Sequence, residues 1–144
     1  MNPSALEIGR LLESSAREKL VFAESCTGGM AAALMTQVPG ISNYFCGSAV
    51  TYRIETKVSW LEISSATIEQ NTAESIETTE QMAFAVLSKT AEATIACAIT
   101  GHLGPDAQPQ VDGKIFTAIA VRENNFELTH SGSCQLKEHS RPQR

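Results

Sequence analysis

Two short polar strings hold residues whose types and spacing could do chemistry. In the first, Glu24-Ser25-Cys26-Thr27-Gly28-Gly29, a hydroxyl and a thiol precede a glycine pair. It follows the apolar run Lys19–Ala23 and leads into the helix formers Met30–Met35. A strand, a tight turn and a helix in that order leave free backbone N–H groups at a helix N-terminus. Such donors suit a phosphate or the oxyanion of a transition state. Gly28 and Gly29 permit a close backbone approach that a side chain would block. From position alone, Ser25 serves equally as a helix N-cap or as a nucleophile. A nucleophilic serine needs a base, and no histidine is well placed by sequence, so a lysine is the more economical proton acceptor. A free lysine titrates at about 10.4, and it must be desolvated or set beside another cation to accept a proton at neutral pH. Lys57 stands near Tyr52 and beside Val58 and Trp60, which would help exclude water. An exposed helical lysine is the bland alternative. The second string is the glycine loop Gly101-His102-Leu103-Gly104-Pro105.

These strings need elements to position them. Pro3–Lys19 reads as a helix with Ile8, Leu11, Leu12 and Ser15 on one face. Lys19–Ala23 is of strand type, and Pro39-Gly40 closes the helix that follows the first polar string. Tyr44–Tyr52 is a strand candidate, followed by a short helix, Glu55–Leu61, that carries Lys57. Ser64–Ala73 is polar and gives no clear assignment. Ser75 makes a good N-cap, with Glu77 and Glu80 favourable near a helix start. That helix runs to about Glu92 with Ile76, Ala83, Val86 and Leu87 as its apolar stripe. Ala93–Thr100 is a strand ending in the glycine loop. Lys114–Val121 and Phe126–His130 form a hairpin around Glu123-Asn124-Asn125. The alternation predicts an α/β protein: a three-layer α/β/α sandwich with a mixed, mostly parallel sheet. Sites in such sheets lie at the carboxyl ends of strands, so Glu24–Gly29, Tyr52–Lys57 and Thr100–Pro105 are expected to converge.

Bulk properties narrow the function class. A chain of 144 residues fits one domain spanning residues 1–144. No apolar run reaches the length needed to cross a bilayer, and Met1–Arg10 has no secretory pattern, which leaves the cytoplasm as the default. A net charge of −5, from 11 basic and 16 acidic residues, argues against a general nucleic-acid binder. The basic cluster Lys137, His139, Arg141 and Arg144 reads as a solvated end. Cys26, Cys46, Cys97 and Cys134 form no CxxC pair, and the histidines form no HxxxH or HExxH pattern, so no metal is expected. Cys46 and Cys97 read as buried thiols.

The string Ala23–Gly29 resembles the signature of the CinA C-terminal family of nicotinamide mononucleotide deamidases. Further ordered blocks are similar to that family: Val38-Pro39-Gly40-Ile41-Ser42; Val50-Thr51-Tyr52 with Lys57 and Leu61; Ser75 with Met82-Ala83; and Ala98-Ile99-Thr100-Gly101 with Gly104-Pro105. The resemblance covers about Leu6 to Val121. It implies hydrolysis of the carboxamide of nicotinamide mononucleotide to nicotinic acid mononucleotide and ammonia, with no metal or organic cofactor, by a homodimer. Carried over by position, Ser25 attacks, Lys57 takes the proton, and Tyr52 hydrogen-bonds near the dyad. Glu24, Cys26, Thr27, Gly28, Gly29, Thr100, Gly101, His102 and Gly104 would contact the nucleotide. The backbone N–H groups of Cys26–Gly29 would bind either oxyanion or phosphate. Cys26 is a weaker nucleophile candidate.

Three departures qualify the match. The loop Gly101–Asp106 carries His102 and Leu103 where the family has small residues before Gly-Pro, and Asp106 where it has glycine. Ala73-Glu74 replaces the usual glycine and valine before Ser75. Arg141 is the arginine that would begin the family's final helix, and this chain is expected to lack that helix and to expose apolar surface in its place. Two other readings follow from these departures: a nucleotide-binding regulatory module without activity, and an amidase for a different amide.

Overall fold

The computed structural model describes residues 1–15, 17–105, 107–123, 125–138 and 140–143. Expectations resting on Asp106, Asn124, His139 and Arg144 lie outside the described residues. Strands β1 (Leu20–Glu24), β2 (Phe45–Val50), β3 (Ile95–Gly101), β4 (Lys114–Arg122) and β5 (Phe126–Gln135) form one sheet in the order β2-β1-β3-β4-β5. β1 pairs in parallel with β2 and β3, while β4 is antiparallel to β3 and β5. Every strand but β4 therefore runs the same way.

Helices cover both faces, which gives the three-layer α/β/α arrangement. Helix α1 (Pro3–Ser15) and helix α2 (Met30–Met35) pack on Leu20, Phe22 and Phe45. Helices α3 (Ile54–Leu61), α4 (Ser65–Asn71) and α5 (Ile76–Lys89) lie over the other face. That face is floored by Val21, Ala23, Ala96, Ala98, Ala118 and Ala120. Alanines here let α5 sit close to the central strands, and α5 answers with Met82, Val86 and Leu87.

Helix α1 ends at Ser15, β2 spans Phe45–Val50 and α5 ends at Lys89, each shorter than the sequence expectation, and larger differences fall in α1, α4, α5 and β5. Helix α1 buries Ala5, Gly9 and Leu12, while Ile8 and Leu11 face outward; Leu11 is 60% exposed and Leu12 5%. The cause is close packing: a Cβ on Gly9 would lie 2.8 Å from Val38 Cγ1, so only small residues fit that side. Ile8 and Leu11 instead border an apolar groove of about 470 Å³ that runs over Phe22, Ile95, Ile119 and Val121. Helix α4 forms from the polar stretch, buried through Ile68. On α5 the stripe begins at Thr78 and Thr79, not at the half-buried Ile76, because both hydroxyls find acceptors inside. Strand β5 continues to Gln135 because it pairs with β4 as far as Lys114.

Ser75 does cap α5, its hydroxyl accepting the Thr78 N–H at 3.2 Å. No described helix is long and apolar enough to cross a membrane. The α1 geometry predicts opposite outcomes for adjacent leucines. Leu12→Ala should cost about 2–5 kcal/mol, and Leu11→Ala should stay within about 0.5 kcal/mol of wild type. Urea denaturation of both variants checks this, and equal losses would contradict the packing described.

Candidate active site

The site begins with two consecutive residues at the end of β1. Side chains alternate along a strand, so Glu24 and Ser25 point to opposite faces of the sheet. Glu24 turns towards α2 and is fully buried. One carboxylate oxygen accepts the Thr27 hydroxyl at 2.7 Å and the N–H groups of Gly29 at 3.2 Å and Ala31 at 3.0 Å. The other accepts the Ala32 N–H at 3.0 Å and the Ser48 hydroxyl at 2.9 Å. Glu24 is therefore the anion at the head of α2, where the helix dipole favours negative charge. This corrects two expectations. Glu24 has no capacity left for a substrate, and the N–H of Gly29 is not free for one. The Gly28 N–H is also taken, by Ser25 O at 3.0 Å. Gly28 and Gly29 sit at φ 59° and 98°, the left-handed turn that lets the chain fold back over Glu24. Gly29, not Ser25, is the N-cap residue of α2.

Ser25 faces α3 and α5. Beyond the ladder pairs of Glu24 with Val50 and Ile99, two more bonds hold the register. Thr51 N donates to Glu24 O at 2.8 Å, and Ser25 N donates to Ile99 O at 3.0 Å. Thr51, Ser25 and Thr100 thus stand side by side at three parallel strand ends. Lys57, on the first turns of α3, reaches down to this row. Its Nζ lies 2.9 Å from Ser25 Oγ and donates to Thr51 O at 3.0 Å. Lys57 is 0% exposed and Ser25 3%. Burial holds the Lys57 amine below its ordinary value, against weaker opposing pulls from Glu74 and Cys26. Thr100 is also buried, its hydroxyl 2.8 Å from that of Thr79 on α5.

The remaining candidates surround this floor. Cys26 is buried, and desolvation pushes its thiol up to about 11, so it is protonated at neutral pH. Cys46 and Cys97 are half-buried where the sequence reads as fully buried, and all four cysteines are free. Tyr52 is 52% exposed, and its hydroxyl accepts from Arg141 Nη2 at 2.7 Å. Its hydrogen bond is to Arg141, not to the Ser25–Lys57 pair, because the chain has already left the sheet at that point. Arg141 Nη1 also donates to Gly104 O at 3.2 Å, and the guanidinium sits 5.9 Å from the Tyr52 ring. Glu74, Gly101, His102, Gly104 and Arg141 line an open cavity of about 260 Å³. Less strongly than burial, the charges of Arg141 and Lys57 lower the Cys26 thiol and that of Glu74 raises it. Arg141 is a candidate site residue that sequence reasoning missed. Its partner Tyr52 is 89 positions away, and only its place in a family block marked it.

An α/β sheet with a serine and a desolvated lysine in contact at its carboxyl edge defines the class of protein. The comparisons name it more closely: the chain belongs to the CinA C-terminal domain family, whose model matches residues 2–143. A CinA-like protein of Petrotoga mobilis is 39% identical over 82% of this chain, which spans 29% of that relative. One of Desulfosudis oleivorans is 48% identical over 69% of the chain, which spans 24% of it. Among solved structures, the competence/damage inducible protein CihA of Agrobacterium tumefaciens superposes with a TM-score of 0.86 at 26% identity. That alignment covers 99% of this chain and 87% of the other. The competence damage-inducible protein A of Klebsiella pneumoniae shares the fold, with a TM-score of 0.86 at 24% identity over 96% of this chain and 83% of that one.

Two stability predictions follow from the buried charges. Glu24→Gln should cost roughly 1–3 kcal/mol, because an amide NH₂ would face N–H donors that lose their acceptor. The exposed Glu77→Gln serves as the control in the same urea titration. For Lys57 the folded value lies below the unfolded one. Between them the unfolded chain binds a proton that the folded chain refuses, so stability rises with pH towards about 10.4. Lys57→Met should flatten that rise, and unfolding midpoints from about pH 7 to 10 will show whether it does.

Proposed function

We propose that this domain hydrolyses the carboxamide of nicotinamide mononucleotide, giving nicotinic acid mononucleotide and ammonia. The observation that carries this reading is the 2.9 Å contact between Ser25 and a fully buried Lys57 amine whose pKa burial has lowered. Desolvation raises the neutral fraction of the amine at any given pH, which favours it as a base. Lys57 takes the Ser25 proton as Oγ attacks the carboxamide carbon. The oxyanion that forms faces the turn, where the Cys26 and Thr27 N–H groups remain after Gly28 and Gly29 are engaged. Lys57 then returns the proton to the amide nitrogen, the C–N bond breaks, and ammonia leaves. Water then gives its proton to the same amine and attacks the resulting ester; the C–Oγ bond breaks and Lys57 returns the proton to Ser25 Oγ, releasing the carboxylate. No step calls on a metal or organic cofactor.

Arg141, held by Tyr52 and Gly104 beside His102, supplies the cation that a nucleotide phosphate requires. The protonated thiol of Cys26 makes it a poor rival to Ser25. A homodimer is part of this reading, supported by the open apolar groove beside α1 and tested by light scattering.

Purified protein should release ammonia from nicotinamide mononucleotide, and Ser25→Ala should abolish at least about 99% of the rate. kcat/KM should rise with pH as Lys57 loses its proton, with a midpoint below that of an ordinary lysine. Arg141→Ala should raise KM about tenfold or more, with a smaller effect on kcat. Near-normal turnover by Ser25→Ala would refute the mechanism. Nucleotide binding without ammonia release would favour a regulatory module, and activity only on other amides would move the substrate.

A further inference from the structure

Among the described residues, the hydroxyl of Thr51 is the buried side-chain polar atom left without a hydrogen-bond partner. Thr51 is fully buried, so solvent does not satisfy it either. A hydroxyl in that condition destabilises the fold, and a valine of the same shape would avoid the loss. The location of the residue gives the hydroxyl a use. Thr51 is held beside Ser25 by its N–H bond to Glu24 O, and its own carbonyl accepts a Lys57 N–H at 3.0 Å. Ala49 packs in the core beneath α5, and alternation from it puts the Thr51 side chain on the face where Ser25 and Lys57 meet.

The hydroxyl on the other side of Ser25 is already committed. Thr79 must donate to Ser75 O, a carbonyl 2.6 Å away, so in its 2.8 Å contact with Thr79 it is Thr100 that donates. The Thr100 proton is fixed, and that of Thr51 is not. Lys57 has the complementary need. As a neutral base it offers a lone pair to Ser25 and one of its two N–H groups to Thr51 O, and the N–H left over becomes a charged donor once the serine proton arrives. After taking the serine proton it carries three N–H groups, and its two partners, Ser25 Oγ and Thr51 O, can absorb only two.

We propose that Thr51 is a positioning residue whose hydroxyl, unpaired in the resting site, turns about its Cα–Cβ bond to accept the third N–H of the Lys57 ammonium formed when Ser25 gives up its proton. Oγ of Ser25 bonds to the acyl carbon, its proton moves to Nζ, and the Thr51 hydroxyl holds that ammonium until the proton passes to the leaving nitrogen. This inference rests on the Ser25–Lys57 reading above. The other titratable groups acting on Lys57 are Glu74, ahead of α5, and Cys26, in the turn after β1. At the start of α3, the N-cap residue Arg53 and Glu55 pair with each other at the surface.

Thr51→Val and Thr51→Ser test it. The Lys57 titration is read directly by NMR of labelled lysine, without substrate, alongside the melting temperature. Thr51→Val should lower the Lys57 pKa by about half a unit to one unit, since the charged form loses an acceptor. It should also reduce kcat about tenfold with little change in KM, and it should melt no lower than wild type. Thr51→Ser should restore both the titration and kcat. An unmoved titration in Thr51→Val overturns the proposal, as does a variant that melts lower or fails to fold, because the hydroxyl is then a structural anchor. The titration needs no turnover, so absence of ammonia release by wild type would refute the deamidase reading and leave this test standing.

Discussion

The site depends on the two-residue period of a single strand end. Glu24 and Ser25 are neighbours in sequence and face opposite layers, so one residue of slip would exchange a buried carboxylate for a hydroxyl on each side. The carboxylate would then lie against Lys57, and α2 would lose the anion that engages its first N–H groups. Register is therefore fixed from both faces at once. Bonds from Thr51 N to Glu24 O and from Ser25 N to Ile99 O carry it past the last ladder pair. Through this constraint a sheet built largely for packing also places a row of hydroxyls under α3.

Burial of Lys57 is the second consequence. A buried ammonium with no carboxylate in contact is costly, and burial accordingly lowers the Lys57 pKa below its ordinary value. The partners within hydrogen-bond reach are a serine hydroxyl and a main-chain carbonyl, both neutral. Glu74 acts only from a distance and opposes the lowering weakly. A carboxylate at contact would stabilise the ammonium and remove the base. The same reasoning explains why Glu24 must be sealed on the far side of the sheet, where five protein donors hold it.

Much of this was legible in the sequence because it is local. The strand-turn-helix around Gly28 and Gly29, the cap at Ser75 and the short helix carrying Lys57 all follow from residue types a few positions apart. The readings that failed depended on tertiary distance. Ile8 and Leu11 are more apolar than Ala5 and Gly9, yet α1 approaches Val38 so closely that the small residues turn inward. Helix α4 has too few apolar residues to show a period, and its formation rests on burying Ile68. Glu24 looked like a ligand contact because nothing in its spacing reveals that the following turn folds back onto it. Arg141 joins Tyr52 across most of the chain, and no local pattern encodes such a contact.

Floor and rim of the site differ in physical character, and on the proposed reading they do different work. The floor of Ser25, Lys57, Thr51 and Thr100 is buried and fixed by sheet register, so its geometry tolerates little change. The rim of Tyr52, His102, Gly104 and Arg141 is solvent-facing and drawn from three separate segments. Substitutions there alter which groups meet a ligand without disturbing the packed layers beneath. The departures at His102 and Leu103 fall on this rim, in the loop that leaves β3, while the serine and lysine below keep their contact. On the proposed reading, a change confined to such a loop bears on which nucleotide is held. On that reading the bond that is cut is decided by the buried pair, which the end of β1 and the first turns of α3 bring together.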